Sequence, residues 1–234
     1  KAIRRQRQMC IRDSIYNENL DGTGEIGTMN IVLYTQRVEI VKSYGERRDC
    51  ADQNIAKFIL ACGFLPVPIP NVKEVAEKMV SSMKPSGIIF TGGNSLVKYG
   101  GDAPERDETE RYLLQQALEQ KIPVYGFCRG MQSILNFYDC ELQEVTGHVA
   151  VKHIIDGTWG KREVNSFHNQ ACLSVKDPVE VLAKTEDDVI EAIRIKGEKI
   201  IATMWHPERE TEFQKTDMAV SYTHLRAHET SQDL

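Results

Sequence analysis

The sequence has few aromatic residues, no long apolar run and no excess of positive charge. Aromatic side chains make up 7% of the 234 residues, and no stretch approaches the ~20 apolar residues that cross a bilayer as a helix. The net charge of −5 disfavours nucleic acid as a partner, because nucleic acids are bound through clustered positive charge. The basic N-terminus is followed by no apolar segment typical of a secretory signal. We therefore expect neither a membrane nor a nucleic-acid partner.

The six cysteines are scattered singly. They form no C-x-x-C pair and show no metal-ligand spacing, so a reduced, cytoplasmic location without metal or cofactor is the expectation. With 41% apolar residues, a chain of this length is long enough to bury the core of one α/β domain.

Both ends of the chain differ in character from the middle. Residues 1–14 and 219–234 resemble translated sequencing-adapter reads, and neither shows helix or strand periodicity. Residues 15–28 contain three glycines and resemble a flexible lead. We therefore predict one domain over residues 29–218, with Met29 as its expected start and the segments 1–28 and 219–234 outside the fold.

Apolar strands alternate with amphipathic helices in the first part of the predicted domain. Strands are predicted at 30–35, 65–69, 87–91 and 122–127, and helices at 48–62, 72–82, 104–120 and 129–137. Further strands are predicted at 147–153, 161–166, 171–175, 189–195 and 199–205. This order predicts a flavodoxin-like α/β fold of three layers, in which a mostly parallel central sheet is flanked by helices.

The segment Gly126-Phe-Cys128-Arg-Gly-Met-Gln132 places a cysteine between a buried strand and a helix. Such a turn holds the side chain clear of the sheet, and the helix N-terminus lowers the pKa of a thiol. Glycine on either side suits a strained turn that a Cβ would crowd. A buried structural thiol is the commoner role of a single cysteine, but the flanking glycines favour a nucleophile at Cys128.

A second motif, Trp205-His206-Pro207-Glu208, supplies a base and, two residues later, an acid. His206 alone would be more typical of a core histidine, whereas Glu208 can orient its imidazole. Cysteine, histidine and a carboxylate are the parts of an activated-thiol acyl-transfer site. Together with Thr91-Gly-Gly-Asn94, these residues follow predicted strands, so we expect them to meet at one rim of the sheet.

At these motifs the chain resembles the class I glutamine amidotransferase superfamily, and more narrowly the γ-glutamyl hydrolases of the peptidase C26 type. The matching blocks occur in the family's order within residues 29–218, at 90–94, 106–110, 126–132, 164–170, 188–192 and 204–210. Other blocks resemble the γ-glutamyl-CDP-amidate hydrolases, which act in making phosphoramidate-decorated surface polysaccharide. These blocks lie at 35–37, 45–49, 103–106, 147–153 and 205–210.

The resemblance implies a role for each matching position. Cys128, His206 and Glu208 would form a catalytic triad, and the backbone N–H groups of Gly93 and Arg129 would form the oxyanion hole. The residues implied to hold the glutamyl amino and carboxylate groups are Gln132, Asn165, Ser166, Phe167 and His168. Surface solvation is the ordinary role of a basic side chain, but the block-level match suggests phosphate contacts for Arg37, Arg47, Arg48, Arg106 and Lys152, beside His153.

The implied reaction is attack of the Cys128 thiolate on a γ-glutamyl amide, followed by hydrolysis of the thioester. The favoured substrate is γ-glutamyl-CDP-amidate. Alternatives are another γ-glutamyl amine such as γ-glutamyl-GABA, a glutaminase subunit that delivers ammonia to a partner synthetase, and a silent binding module. Asp139-Cys140 stands where relatives usually have Gly-Gly, which alters a turn rather than the triad.

Overall fold

A nine-stranded sheet forms the centre of the computed structural model, which describes residues 30–226. The expected start at Met29 and the adapter-like segment 1–14 lie outside the described residues. The strands are β1 Ile31–Tyr34, β2 Arg37–Val41, β3 Glu46–Cys50, β4 Leu65–Pro68, β5 Gly87–Phe90, β6 Val124–Phe127, β7 Gln143–Glu144, β8 Val149–Gly157, β9 Arg162–Phe167, β10 Gln170–Ala171, β11 Val179–Thr185, β12 Ile190–Ile195 and β13 Ile200–Thr203. The helices are α1 Gln53–Ala61, α2 Lys73–Met83, α3 Pro104–Gln120, α4 Arg129–Phe137 and α5 Lys215–Arg226.

The central sheet changes its pairing at β13. Strands β4-β1-β5-β6-β13 are parallel neighbours, and β13-β12-β11-β8-β9 continue the sheet with antiparallel pairing. β4 lies at the edge of the sheet. Pro66 and Pro68 have no N–H to donate, and an edge strand tolerates this because only one of its two sides pairs with another strand. The predicted α/β class is confirmed, and β12, β11, β8 and β9 form the antiparallel extension.

Helices cover both faces of the parallel half and complete the three layers. On one face, α2, α3 and α4 contribute Val80, Leu113 and Ile134 to a continuous apolar core. On the other face, α1 and α5 contribute Phe58 and Leu225 to a second core. None of the helices within residues 30–226 is long and apolar enough to cross a membrane.

A β-hairpin occupies part of the region predicted as the first helix. The prediction began that helix at Arg48, which instead lies in β3, paired antiparallel with β2. The helix begins at Gln53 because Asp52 caps it, accepting a hydrogen bond of 2.8 Å from the backbone N–H of Asn54. The prediction was therefore wrong for residues 48–52 and right for the apolar face of α1.

Helix α5 crosses the predicted domain boundary at residue 218. Its residues 219–226 belong to the segment predicted to lie outside the fold, yet Ser221 and Leu225 are buried. His224 Nε2 lies 2.9 Å from the Val124 carbonyl oxygen and donates a hydrogen bond to it. The boundary is thus corrected to at least Arg226 by packing against β5 and β6, while the foreign origin of the segment stays a prediction.

The helix α5 gives a direct test of that packing. Leu225→Ala is expected to lower the free energy of unfolding by about 2–5 kcal/mol, because it removes a buried side chain that fills the space beside Gly87. Chemical denaturation of the full chain measures the change. The exposed Thr223→Ala is the matched control on the same helix, and an unchanged stability in Leu225→Ala would show that residues 219–226 add nothing to the core.

Candidate active site

Cys128 sits on a strained turn between β6 and α4. Its backbone φ of 52° and ψ of −110° lie outside the regions that side-chain-bearing residues normally adopt. The turn is held by a hydrogen bond of 2.8 Å from the Cys128 N–H to the Thr203 carbonyl on the neighbouring strand β13. The predicted strand-to-helix position of this cysteine is confirmed.

The flanking glycines allow α4 to start directly against the sheet. A Cβ on Gly130 would lie 2.0 Å from the carbonyl oxygen of Phe90, and one on Gly126 would lie 2.9 Å from Ile134 Cδ1. The Phe90 carbonyl oxygen belongs to the backbone and cannot move far enough to relieve the 2.0 Å contact. A larger residue at position 130 would therefore push the helix away from β5. The Gly-x-Cys-x-Gly spacing is therefore required by this close approach.

His206 follows β13 and lies beside the cysteine turn. Its Nδ1 is 2.7 Å from Glu208 Oε1, and both side chains are almost fully buried. A Cβ on Gly92 would lie 2.6 Å from His206 Cε1, so the ring also packs against the 91–93 turn. Because β13 pairs in parallel with β6, the two strands deliver His206 and Cys128 to the same edge.

The charges of Cys128 and Glu208 govern the protonation of His206. Burial lowers the pKa of the imidazole, but its interaction with the Cys128 side chain and its hydrogen bond to Glu208 outweigh burial and raise the pKa to about 9. The imidazole is therefore held as a cation next to the sulfur at neutral pH.

Arg106 lies inside the protein and fixes the turn that carries Gly93. Its guanidinium donates hydrogen bonds to the carbonyls of Thr91, at 2.8 Å, and Gly93, at 2.5 Å, and it forms a 3.0 Å ion pair with Glu110. It also donates to the Gly92 carbonyl at 3.1 Å. Because C=O and N–H point opposite ways across a trans peptide, this bond turns the Gly93 N–H away from Arg106.

The same buried network anchors the first residue of α4. The Arg129 guanidinium is hydrogen-bonded to Glu110 and Asp107. Burial raises the pKa of Glu110, but Arg129 and Arg106 more than offset it and hold the pKa below its usual range. The predicted phosphate contact at Arg106 is wrong, since this side chain is fully buried and occupied by carbonyls and a carboxylate. Its i, i+4 spacing from Glu110 was the signal for an internal ion pair.

Two of the predicted substrate-binding residues stabilise the backbone. The Asn165 amide donates to the His206 carbonyl at 2.8 Å and accepts from the His206 N–H at 2.9 Å. The Ser166 hydroxyl is fully buried and donates to the His148 carbonyl at 2.6 Å. These polar side-chain atoms already have partners within the fold, and a role of the two residues in substrate binding stays a prediction.

The other three predicted contacts differ in their surroundings. Gln132 is buried, and one N–H of its amide donates to the Gln170 carbonyl at 2.8 Å. Phe167 is partly exposed, and its ring lies edge-on to the His206 ring at 5.6 Å between centroids. His168 is buried, and its Nε2 lies 3.2 Å from Glu191 Oε1 in the antiparallel half of the sheet.

The remaining basic candidates are separated on the surface. Arg47 pairs with Glu105 at 2.5 Å, Arg48 with Glu46 at 2.6 Å, and Lys152 with Glu163 at 3.6 Å. His153 faces the Glu191 carboxylate at 3.5 Å. These four side chains do not gather at the cysteine turn.

Two arginines lie at the rim. Arg37 packs against the 93 turn, where a Cβ on Gly93 would lie 2.8 Å from Arg37 Cδ, and its guanidinium pairs with the exposed Glu39. Arg209, which the sequence did not single out, stacks over the Phe167 ring at 4.3 Å. Its position immediately after Glu208 was the available signal.

The fold and these side chains define a class of α/β proteins that carry a cysteine on a strand-to-helix turn beside a histidine–carboxylate pair. Within that class, the chain belongs to the class-I glutamine amidotransferase family, which it matches over residues 48–221.

Curated relatives and a solved structure agree with this membership. The chain is 32% identical to the γ-glutamyl-CDP-amidate hydrolase of Campylobacter jejuni, over 75% of this chain and 88% of the relative. It is 28% identical to the γ-glutamyl-γ-aminobutyrate hydrolase of Escherichia coli O157:H7, over 64% and 75%. A candidate GMP synthase component from Thermoplasma acidophilum shares the fold, with a TM-score of 0.66 at 14% identity over 89% of this chain and all of the other.

Proposed function

We propose that the protein is a cysteine-dependent hydrolase that cleaves a γ-glutamyl amide through a γ-glutamyl thioester. The observation that carries the proposal is the strained Cys128 turn beside the buried His206–Glu208 pair. Two relatives named as γ-glutamyl hydrolases support the same chemistry. No cofactor is required by the proposed reaction.

In the first half of the proposed reaction, the Cys128 thiolate attacks the γ-carbonyl carbon. The backbone N–H groups of Gly93 and Arg129 would stabilise the oxyanion, and the His206 imidazolium would protonate the departing nitrogen. Arg106 supports this step because it donates a hydrogen bond to the Gly92 carbonyl and so fixes the peptide group that carries the Gly93 N–H. Loss of one oxyanion donor typically costs ~3 kcal/mol of transition-state stabilisation.

In the second half, neutral His206 removes a proton from water, which attacks the thioester and releases glutamate. Glu208 would fix the tautomer by accepting from Nδ1–H, so that Nε2 remains available for the sulfur and the water. Phe167 covers one edge of the imidazole and limits its motion. The Asn165 amide fixes the backbone of the same residue from both sides.

We propose γ-glutamyl-CDP-amidate as the substrate, with glutamate and cytidine diphosphoramidate as products for surface polysaccharide synthesis in the cytoplasm. The relative from Campylobacter jejuni supports this choice over most of its length. Arg37, which packs against the turn at Gly93, and Arg209, which stacks on Phe167, are the arginines proposed to meet a pyrophosphate. The similarity to the Escherichia coli relative supports γ-glutamyl-GABA as the second candidate substrate.

The substrate proposal is tested by the double variant Arg37→Ala, Arg209→Ala. Its kcat/KM for γ-glutamyl-CDP-amidate is expected to fall roughly 10²- to 10⁴-fold, since two hydrogen bonds to charged groups at about 1.5–3 kcal/mol each are lost. Its kcat/KM for γ-glutamyl-GABA should change little. Glutamate release measured on both substrates gives the comparison.

The matched control is Arg47→Ala, Lys152→Ala, which removes the same charge from positions away from the turn. Equal losses on both substrates would contradict nucleotide recognition while leaving the γ-glutamyl hydrolase proposal intact. Ammonia release from free glutamine that exceeds glutamate release from both larger amides would instead favour a glutaminase subunit.

A further inference from the structure

Two histidines and a glutamate meet inside the antiparallel half of the sheet. His148 lies just before β8, His168 just after β9, and Glu191 within β12. Their relative exposures are 3%, 3% and 0%. One ligand-type atom from each residue lies within 4.8 Å of the other two. Sequence spacing could not reveal this cluster, because its members come from three distant stretches.

The distances between these atoms suit a small divalent cation. Four ligands placed ~2.1 Å from one zinc ion in a tetrahedron lie roughly 3.4 Å apart. The observed separations from Glu191 Oε1 bracket that value: 3.2 Å to His168 Nε2 and 3.7 Å to His148 Nδ1. The second distance is too long for a hydrogen bond.

Several buried polar atoms of the cluster have no hydrogen-bond partner. They are His148 Nδ1, His153 Nε2, His168 Nδ1 and Glu191 Oε2. Leaving a buried polar atom without a partner costs about 1–3 kcal/mol. One of them, His148 Nδ1, is also an atom whose separation from Glu191 Oε1 suits a shared ion.

His148 also has the outer partner that metal-bound histidines usually have. Its Nε2 lies 3.0 Å from Asp187 Oδ2, so Nε2–H donates to the carboxylate and Nδ1 keeps its lone pair for the cluster. Asp187 and His153 line an open cavity of about 790 Å³ on this side of the protein. His153 joins this cavity to the cluster, since its Nε2 lies 3.5 Å from Glu191 Oε2.

We propose that His148, His168 and Glu191 form a zinc-binding site, completed by His153 or water. The set of neutral imidazoles and one carboxylate is typical of zinc. The site would tie together the strands that carry Asn165 and Phe167, which position His206. Its role is structural, and it does not depend on the proposed hydrolase activity.

The competing explanation is that no metal binds and that protonated histidines form buried ion pairs with Glu191. Burial raises the pKa of Glu191, but its interactions with His153 and His168 outweigh burial and lower that pKa. The two explanations differ in metal affinity, which is therefore the quantity to measure.

The test uses the full chain carrying Cys128→Ser, so that the turn thiol does not compete for zinc. After treatment with a chelator, zinc titration by calorimetry and metal analysis should show about one ion per chain. His168→Gln and Glu191→Gln should weaken binding by more than 100-fold, beyond the roughly 10- to 100-fold loss expected from the outer partner in Asp187→Asn. Zinc should also raise the Tm of the parent.

His224→Gln is the control, because this histidine bonds Val124 far from the cluster. Absence of saturable zinc binding to the parent would overturn the proposal, as would parental affinity in both ligand variants. Asp187 is 60% exposed, so its replacement should leave the fold intact. If a ligand variant fails to fold, parental zinc affinity in Asp187→Asn would overturn the assignment instead.

Discussion

Replacing Cys128 with serine is expected to reduce hydrolysis of γ-glutamyl amides by at least ~10⁴-fold, a loss of the size seen when a nucleophile is removed from a triad. A serine hydroxyl ionises far above neutral pH, so the His206 cation next to it would have no anion to stabilise. Steady-state kinetics on γ-glutamyl-CDP-amidate and on γ-glutamyl-GABA measures the loss.

Cys50→Ser is the matched control, since Cys50 is partly exposed and lies in the hairpin. An unchanged Tm in both variants would separate loss of chemistry from loss of fold. Iodoacetamide should label Cys128 before Cys62 and Cys172, because burial raises the pKa of Cys62 to about 12 and of Cys172 to about 11. Retained turnover in Cys128→Ser would remove this residue from the mechanism.

Glu208→Gln is expected to lower kcat by roughly 10³–10⁴-fold while preserving the fold. The amide is nearly isosteric, but it offers no negative charge to the imidazolium and does not hold the tautomer as firmly. The matched control is Glu210→Gln, which changes the carboxylate that accepts from Asn165 rather than the one that faces the imidazole. A similar loss in both variants would contradict a specific role for Glu208.

The pH profile of the same variants tests the charge state of His206. Its pKa is raised from 6.5 to about 9 in the folded protein, so the stabilising charge interaction is complete below about pH 6.5 and is lost as the pH rises through 9. We expect the alkaline limb of kcat/KM near pH 9 in the wild type. In Glu208→Gln the limb should move to lower pH, and an unmoved limb would show that Glu208 does not set this pKa.

The sequence predicted where Cys128, His206 and Glu208 lie in the fold, because the motifs that carry them are local. Gly126, Cys128 and Gly130 are one strand end and one helix start, and the glycine requirement arises from contacts across a single turn. His206 and Glu208 are two residues apart, so their contact needs only one bend of the chain. Strand order then brings the two motifs to neighbouring positions.

The sequence could not predict which polar side chains were already occupied. Arg106, Asn165 and Ser166 all carry groups suited to a substrate, but folding pairs each with a backbone carbonyl or amide from a distant stretch. Long-range partners of this kind are invisible to spacing. The helix start at Gln53 is different, because its signal is local. Asp52 is a recognisable N-cap, and it marks the true start that the prediction at Arg48 missed.

The hairpin of β2 and β3 forms a separate two-stranded sheet at the rim. It meets the 91–94 turn through paired hydrogen bonds between Val38 and Asn94, at 2.8 and 3.0 Å, while Cys128, His206 and Glu208 sit on the central sheet. The hairpin, which carries the Arg37 proposed to meet the departing group, is therefore built independently of the sheet that carries the proposed triad. Substitutions in the hairpin would therefore change which amine is released without changing the residues proposed to carry out the reaction.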